Sequence, residues 1–283
     1  GLDDFTGEVL SALQVGDASV IFVNAANSVE FQTNIIFDRA KELKKPISFL
    51  VNNLDIENIN FDKIQNDLVG TFGPRAVILQ YPLNSGPGFN EIVDLIKMKL
   101  LKFAEDGTYT EEDIPANFTD KANQLRSQLI DSVAETDEEL MLQYFDSGTL
   151  ENIELVEGLK KAFLKSEIYP IYVASAMLNI GVNSFLDGVV DYFPRASDIT
   201  YKSDSQEIQV DAASPTSLYV FKLYSDPKIG DLTYLKVITG KLSSGMELIN
   251  HKRSSSDRFS QVYAVQGKKR EEIPVAQAGD ICA

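Results

Sequence analysis

The sequence predicts an α/β protein: a parallel sheet with helices on both faces, followed by a small antiparallel β-barrel. Short apolar runs alternate with amphipathic helical patterns in the first part of the chain, which is typical of a buried parallel sheet. Beyond residue 217 the apolar residues recur with a period of two, which is typical of antiparallel strands. Between these parts, residues 81–167 interrupt the alternation with loops and acidic helices, so we expect an insertion there.

The first elements alternate between strand and helix. The β-branched run Ser19–Asn24 predicts a buried strand, and the apolar spacing of residues 33–44 predicts the helix that follows it. Residues 47–51 and 76–79 are further apolar runs of strand length, and residues 59–68 separate them. Because ligands of such sheets bind near the carboxyl ends of the strands, the residues after each run are candidates for a site.

The insertion and the end of the sheet have separate signals. Residues 118–134 have the period of one helix, and Thr136 with Glu139 forms a capping box that predicts the start of another. The parallel pattern then resumes with a strand at 169–174 and a helix at 182–193, which a proline ends.

The last part of the chain predicts a second domain. Residues 195–217 are polar without a strong period and predict a linker, and residues 218–221, 232–239 and 259–265 predict short strands. Glycines between these strands mark turns, and together they indicate a barrel. The predicted domains are residues 1–195, with the insertion at about 81–167, and residues 196–283.

The composition excludes several classes of site. Cys282 is the only cysteine, so no internal disulfide and no thiolate metal cluster is expected, and a reducing cytoplasm fits best. His251 is the only histidine, which excludes a histidine-rich metal site. No apolar run reaches the roughly 20 residues of a membrane helix, and the first residues do not resemble a secretory signal. We therefore expect a cytoplasmic protein with no membrane partner and no metal site of its own.

The charge distribution allows only local contact with nucleic acid. The formal net charge of -16 repels phosphate at long range. A basic group near the C-terminus, opposed only by Asp257 within residues 251–270, is a candidate RNA contact, although ordinary solvated hairpins would give the same pattern. The basic group consists of Lys252, Arg253, Arg258, Lys268, Lys269 and Arg270.

Two polar turns follow strands of the predicted sheet, and their side chains suit a guanine base. Asn52, Asn53 and Asp55 follow the second strand, and Ser175 with Ala176 follows the last one. A fixed aspartate can accept two parallel N–H bonds from the guanine edge, which adenine cannot offer. A backbone N–H of the Ser175–Ala176 turn can bond the guanine carbonyl, while the Asn52 amide ties the two loops together. By itself the Asn-Asn-Leu-Asp run is weak, because these residues are common in turns.

The wider sequence resembles elongation factor G, a translational GTPase. The opening residues Gly1-Leu2-Asp3-Asp4-Phe5-Thr6-Gly7-Glu8-Val9 resemble the Gly-His-Val-Asp-Phe-x-x-Glu-Val of that family's switch II. Asn52 to Asp55 stands where the family has Asn-Lys-x-Asp. The resemblance covers nearly the whole chain. Later runs similar to the family include Gly86-Pro87-Gly88-Phe89, Asp113-Ile114-Pro115, Glu135-Thr136-Asp137-Glu138-Glu139 and Ala278-Gly279-Asp280-Ile281.

The resemblance implies a P-loop GTPase-type sheet, an inserted α+β subdomain of the kind called G′, and a barrel domain II. For residues 95–104 the family expects extended structure, whereas their apolar positions also fit a helix, so both alternatives stay open. Gly1, Leu2, Asp3 and Asp4 correspond to switch II. In the full-length protein the resemblance implies GTP or GDP with Mg²⁺, and for this chain alone we expect neither.

The sequence departs from the family at three points. It contains no Gly-x-x-x-x-Gly-Lys-[Ser/Thr] run to hold phosphates, so we expect that the chain starts within switch II and ends within domain II. Leu2 stands at the position of the catalytic histidine and cannot orient the attacking water. Asn53 replaces the motif lysine, whose stem lies against the base.

These departures leave two functions open. The first is a monomeric factor similar to elongation factor G that acts on the ribosome with GTP and hydrolyses it weakly or not at all. The second is a fully active ribosome-dependent GTPase in translocation, recycling or ribosome protection. In both, the resemblance implies contact with ribosomal RNA through domain II and with stalk proteins through the acidic inserted subdomain. An unrelated α/β domain that uses no nucleotide is a third alternative.

Overall fold

A computed structural model of the protein describes residues 3–202, 207–226, 230–251 and 253–283. The chain divides into two compact units. The first unit contains Ala18–Phe193, and the second contains Gly7–Asp17 together with Pro194–Ala283. A short 3-10 helix, Asp3–Phe5, precedes α1 (Thr6–Val15), which is described with the second unit.

The first unit is built on a parallel sheet, which confirms the predicted α/β class. Its four strands lie in the order Ser19–Asn24, Ile47–Asn52, Tyr169–Val173 and Ala76–Ile78, and all pairs are parallel. Residues 59–68, which separated two predicted strands, belong largely to a helix because an asparagine caps its first turn and its apolar side chains share one face. The elements of this part are β1 (Ser19–Asn24), α2 (Phe31–Glu42), β2 (Ile47–Asn52), α3 (Phe61–Phe72) and β3 (Ala76–Ile78).

The insertion contains an antiparallel sheet as well as helices. Within residues 95–104, Lys99–Phe103 is a strand, because Leu100, Leu101 and Phe103 are buried and the strand pairs on both sides. The four-stranded inserted sheet consists of β4 (Gln80–Pro82), β5 (Glu91–Asp94), β6 (Lys99–Phe103) and β7 (Tyr109–Glu112). Its helices are α4 (Thr119–Ala134), α5 (Glu138–Ser147) and α6 (Asn152–Leu164).

The predicted capping box at Thr136 is wrong by one residue. The N-cap of α5 is Asp137, whose side chain accepts hydrogen bonds from the backbone N–H groups of Glu139 and Leu140. Thr136 instead donates its hydroxyl to the carbonyl of Val133, 2.7 Å away, at the end of the preceding helix. Asp and Thr are both good capping residues, so the spacing alone did not decide between them.

The first unit ends with the last strand of the parallel sheet and one helix. These are β8 (Tyr169–Val173) and α7 (Val182–Tyr192), close to the predicted bounds. The backbone turns extended at Phe193, which precedes Pro194, as expected for a residue before proline.

The second unit contains antiparallel pairs around one apolar cluster, as expected for a barrel. The predicted linker at 195–217 is more ordered than expected: among its described residues, Ala196–Asp198 is a 3-10 helix and two short strands pair antiparallel. The predicted strand at 259–265 is confirmed only for its last three residues: one strand ends at Arg258, and the next, Tyr263–Gln266, begins four residues later than expected. The apolar cluster comprises Leu235, Val237, Leu242, Val262, Ala276 and Cys282.

The strands of this unit are short except for one long pair. That pair is β11 (Ser217–Asp226) and β12 (Gly230–Thr239), and β12 also pairs with the last strand. The others are β9 (Thr200–Lys202), β10 (Glu207–Gln209), β13 (Lys241–Ser243), β14 (Glu247–Asn250), β15 (Ser255–Arg258), β16 (Tyr263–Gln266), β17 (Lys269–Glu272), β18 (Val275–Gln277) and β19 (Ile281–Cys282). Among the described residues, no helix is long and apolar enough to cross a membrane.

A buried lysine joins α1 to the strands of the second unit. Lys236 on β12 is 1% exposed, and its ammonium lies 2.6 Å from an Asp17 carboxylate oxygen and 3.1 Å from the Val15 carbonyl. Tyr201 donates to the same Asp17 oxygen at 2.9 Å, and its burial together with that carboxylate raises its pKa. Because a buried ammonium needs compensating partners, these contacts fix the end of α1.

We predict that Asp17→Asn destabilises the second unit by about 2 kcal/mol, because it leaves the buried Lys236 ammonium without a charged partner. The matched control is Lys222→Met, which removes the more exposed pair of Lys222 with Glu8. That control should cost less than about 1 kcal/mol. Urea unfolding of the variants measures both values, and equal losses would contradict a special role for the buried pair.

Candidate functional site

The two polar turns lie side by side at one edge of the parallel sheet. Strands β2 and β8 are neighbours, and Val51 pairs with Val173 in parallel register. Both strands therefore end at the same level, which places Asp55 beside Ser175. The backbone N–H of Leu54 points to the Ala174 carbonyl at 3.4 Å, so the chains stay adjacent beyond the strands.

The Asp55 carboxylate is held by Ser175. The Ser175 hydroxyl donates to Asp55 Oδ1 at 2.6 Å and accepts from the backbone N–H of Leu178 at 3.3 Å. Ser175 is fully buried, whereas Asp55 is half-buried. Asp55 Oδ2 has no protein donor among the residues that the structure describes, and a carboxylate oxygen has more than one lone pair. The carboxylate can therefore still accept two N–H bonds from a ligand.

The Asn52 amide ties the two turns together, as its place in the sequence suggested. Its Oδ1 accepts the backbone N–H of Ala176 at 2.8 Å. The N–H of Ser175 donates to the Ile180 carbonyl at 2.9 Å. Both N–H groups of the predicted Ser175–Ala176 donor pair thus have protein acceptors. The next one, that of Met177, has no acceptor within the described part of the chain, and sequence reasoning missed it.

Asn53 adopts a conformation that suits asparagine. Its φ is +69°, in the left-handed region that asparagine tolerates better than most residues with a side chain. A lysine is compatible with this region in this fold, since Lys44 has a φ of +54°. A lysine at position 53 would add an aliphatic stem and a charge beside Asp55, in a backbone conformation that suits asparagine better.

The predicted switch II residues are only partly described. Gly1 and Leu2 lie outside the described residues, while Asp3 and Asp4 belong to the 3-10 helix Asp3–Phe5. In the described ranges, no group of three or more His, Cys, Asp or Glu side chains is arranged to hold a metal ion.

The five members of the basic group that the structure describes lie on two hairpins of the second unit. Arg253 and Arg258 belong to the β14–β15 hairpin, and Lys268, Lys269 and Arg270 to the β16–β17 hairpin. Within the described chain none of these five forms an ion pair with a carboxylate. Arg253, Arg258 and Arg270 line an open depression of about 690 Å³. Lys252 lies outside the described residues.

Comparisons with known proteins identify the family. The family model for the elongation factor Tu GTP-binding domain matches residues 1–195, and the model for elongation factor G domain 2 matches residues 215–283. A solved structure from Thermus thermophilus is 25% identical with a TM-score of 0.86, and the match covers 100% of this chain and 40% of that chain. The chain thus spans less than half the length of that relative. The chain belongs to the elongation factor Tu GTP-binding domain family, among the translational GTPases related to elongation factor G.

Proposed function

We propose that the protein is a translation factor that binds guanine nucleotide and acts on the ribosome, with Asp55 as the residue that selects the base. The observation that carries this proposal is the Asp55 carboxylate, which Ser175 holds at the sheet edge with capacity for two more hydrogen bonds. Family membership supports guanine nucleotide as the ligand.

The residues at the sheet edge fit a guanine base. The Asp55 carboxylate would accept the two N–H groups of the guanine edge, and the Met177 N–H would donate to its carbonyl. The Asn52 amide holds the two loops at a fixed separation through Ala176. A phosphate chain with Mg²⁺ would supply the remaining binding energy in the full-length protein, and no run of this chain matches a phosphate-binding loop.

We predict that Asp55→Asn in the full-length protein weakens GDP binding by about 2 kcal/mol, or roughly 30-fold, because the amide keeps only one acceptor oxygen: one guanine N–H loses its acceptor, and the other bond loses its charge assistance. Asparagine Oδ1 can still accept from Ser175, so the loop connection survives. Titrations with a fluorescent GDP analogue and with a fluorescent ATP analogue give the two affinities, and their ratio measures how much of the preference for guanine over adenine is lost. Glu57→Gln is the matched control, since Glu57 is an exposed acid two residues away. An unchanged guanine preference in Asp55→Asn would reject this role.

We predict that Asn53→Lys raises nucleotide affinity by about fivefold, close to 1 kcal/mol, because the lysine stem covers the base. It should also cost about 1 kcal/mol of stability, since a left-handed backbone suits lysine less well than asparagine. Asn58→Lys is the control: Asn58 has a φ of +63° and is exposed, so the strain is matched without a base nearby. Equal effects of both variants on affinity would contradict contact between residue 53 and the base.

Weak or absent hydrolysis is the second part of the proposal. Leucine at position 2 has no group that can orient a water molecule for attack on the γ-phosphate. We predict that Leu2→His raises ribosome-stimulated phosphate release at least tenfold, roughly 1.4 kcal/mol in the barrier. Rapid release by the unaltered protein would instead support the alternative, a fully active GTPase in translocation, recycling or ribosome protection.

Two surfaces support the ribosome as partner. The basic group carries side chains without carboxylate partners in the described ranges, and it suits the phosphates of ribosomal RNA. In the inserted subdomain, α5 exposes Leu142 and Phe145 beside Glu138 and Asp137, around a shallow groove of about 340 Å³. An apolar strip bordered by acidic side chains suits a basic, amphipathic partner, so this face is our proposed contact for stalk proteins.

A further inference from the structure

Backbone hydrogen bonds join the two ends of the loop that carries Ser175. Ser175 and Ile180 exchange two backbone hydrogen bonds of 2.9 and 3.0 Å, and Asn179 N–H bonds the Ala176 carbonyl at 3.4 Å. Residues 175–180 are called the base loop here. One side of the base loop is fixed by Asn52 and Asp55, as described above. Its other side contacts an element of the inserted sheet.

That element is the turn between β6 and β7, residues 104–108, called the inserted turn. It is stiff because Ala104 and Thr108 are joined by a backbone bond of 2.8 Å. The Asp106 carboxylate also accepts from both the N–H and the hydroxyl of Thr108, at 2.9 and 2.6 Å. Gly107 has a φ of +82°, which the turn requires and which glycine alone adopts at no steric cost.

Two asparagine amides connect the base loop to the inserted turn. Asn179 Nδ2 donates to the Asp106 carbonyl at 3.1 Å, and Asn183 Nδ2 donates to the Gly107 carbonyl at 2.8 Å. Asn179 lies in the base loop, with a φ of +57°, and Asn183 lies in the first turn of α7. The Tyr109 hydroxyl adds a bond of 2.6 Å to Asp187 on the same helix. These three side-chain hydrogen bonds therefore connect the inserted sheet to the base loop and to α7.

The contact at Gly107 leaves no room for a side chain. A Cβ at Gly107 would lie 2.2 Å from Asn179 Nδ2 and 2.7 Å from the Asn179 carbonyl oxygen. The first atom belongs to a side chain that can move, but the second is backbone of the base loop. A methyl group at position 107 must therefore displace the base loop, the inserted turn or both.

We propose that Gly107 and Asn179 make the inserted turn a positioning element for the base site, so that the inserted subdomain determines how firmly the base loop holds guanine. The proposal rests on the proposed function only for its ligand; the mechanical link is a property of the chain itself. Neither residue contacts the base: both act through the base loop, in which Ser175 holds Asp55 and Met177 offers its N–H to the guanine carbonyl.

The first test measures the link without nucleotide. Amide hydrogen exchange in Gly107→Ala should be about tenfold faster than in the unaltered chain at Ala176, Leu178 and Asn179, whose N–H groups are hydrogen-bonded, since local opening becomes easier. Gly148→Ala is the matched control: Gly148 has a φ of +75°, but an added Cβ meets nothing within 4 Å. Asn183→Ala, which removes one connecting bond at the start of a helix, should give a smaller increase. Unchanged exchange in both Gly107→Ala and Asn183→Ala would overturn the proposal.

The second test measures release of a fluorescent GDP analogue from the full-length protein. Gly107→Ala should release it about tenfold faster, and Gly148→Ala should match the unaltered protein, because a displaced loop holds its ligand less firmly. If Gly107→Ala speeds amide hydrogen exchange in the base loop but leaves the release rate of the GDP analogue unchanged, the positioning role is overturned. If the unaltered protein binds no guanine nucleotide, the proposed function fails, and the exchange experiment alone decides the mechanical link.

Discussion

The hydrogen bond between Ser175 and Asp55 is the interaction on which the candidate site depends. It joins the ends of two parallel strands whose register already places them at one level. A carboxylate in a loop would otherwise sample several rotamers, and the buried serine hydroxyl limits it to one direction. The Asn52 amide adds a second connection at a backbone N–H. The proposed base selection, the proposed effect of Asn53 and the proposed influence of the inserted turn all depend on this fixed geometry.

The second unit has a comparable constraint of its own. Strand β12 is buried on both faces toward its end, because Leu235 and Val237 enter the apolar cluster while Lys236 lies on the opposite face, under the end of α1. A charged residue in that position is stable only while Asp17 stays in place. Since α1 follows the predicted switch II residues in the chain, this pair fixes the helix into which that segment leads.

Much of the fold could be predicted from the sequence, because apolar runs of strand length are strong local signals. The ends of β2 and β8 were located closely, and the rule that ligands bind at carboxyl ends of strands then selected Asp55 and Ser175. Residues 95–104 were harder, since Leu100, Leu101 and Phe103 fit either period. Pairing with β5 and β7 makes Lys99–Phe103 a strand, and the sequence of the segment does not show that these two partners will lie beside it.

Contacts between residues far apart in the chain were not predictable. The alternation in β12 implies an exposed Lys236, because nothing local shows that α1, more than two hundred residues earlier, covers that face. The link from Asn179 to Asp106 spans 73 residues and uses a backbone carbonyl, which leaves no signature in side-chain patterns. An Asp-Gly pair such as Asp106-Gly107 is typical of a turn, but it does not show which residues the turn contacts. Pattern analysis therefore finds elements and strand ends, whereas coordinates are needed for the groups that hold them in place.

A crystal structure of the full-length protein with GDP is the most direct measurement of the central claim. The account predicts that both N–H groups of the guanine edge lie within about 3 Å of the Asp55 carboxylate, with Ser175 still bonded to it. It also predicts a backbone N–H of the base loop at the guanine carbonyl. A base bound elsewhere, or an Asp55 side chain turned away from it, would contradict the account.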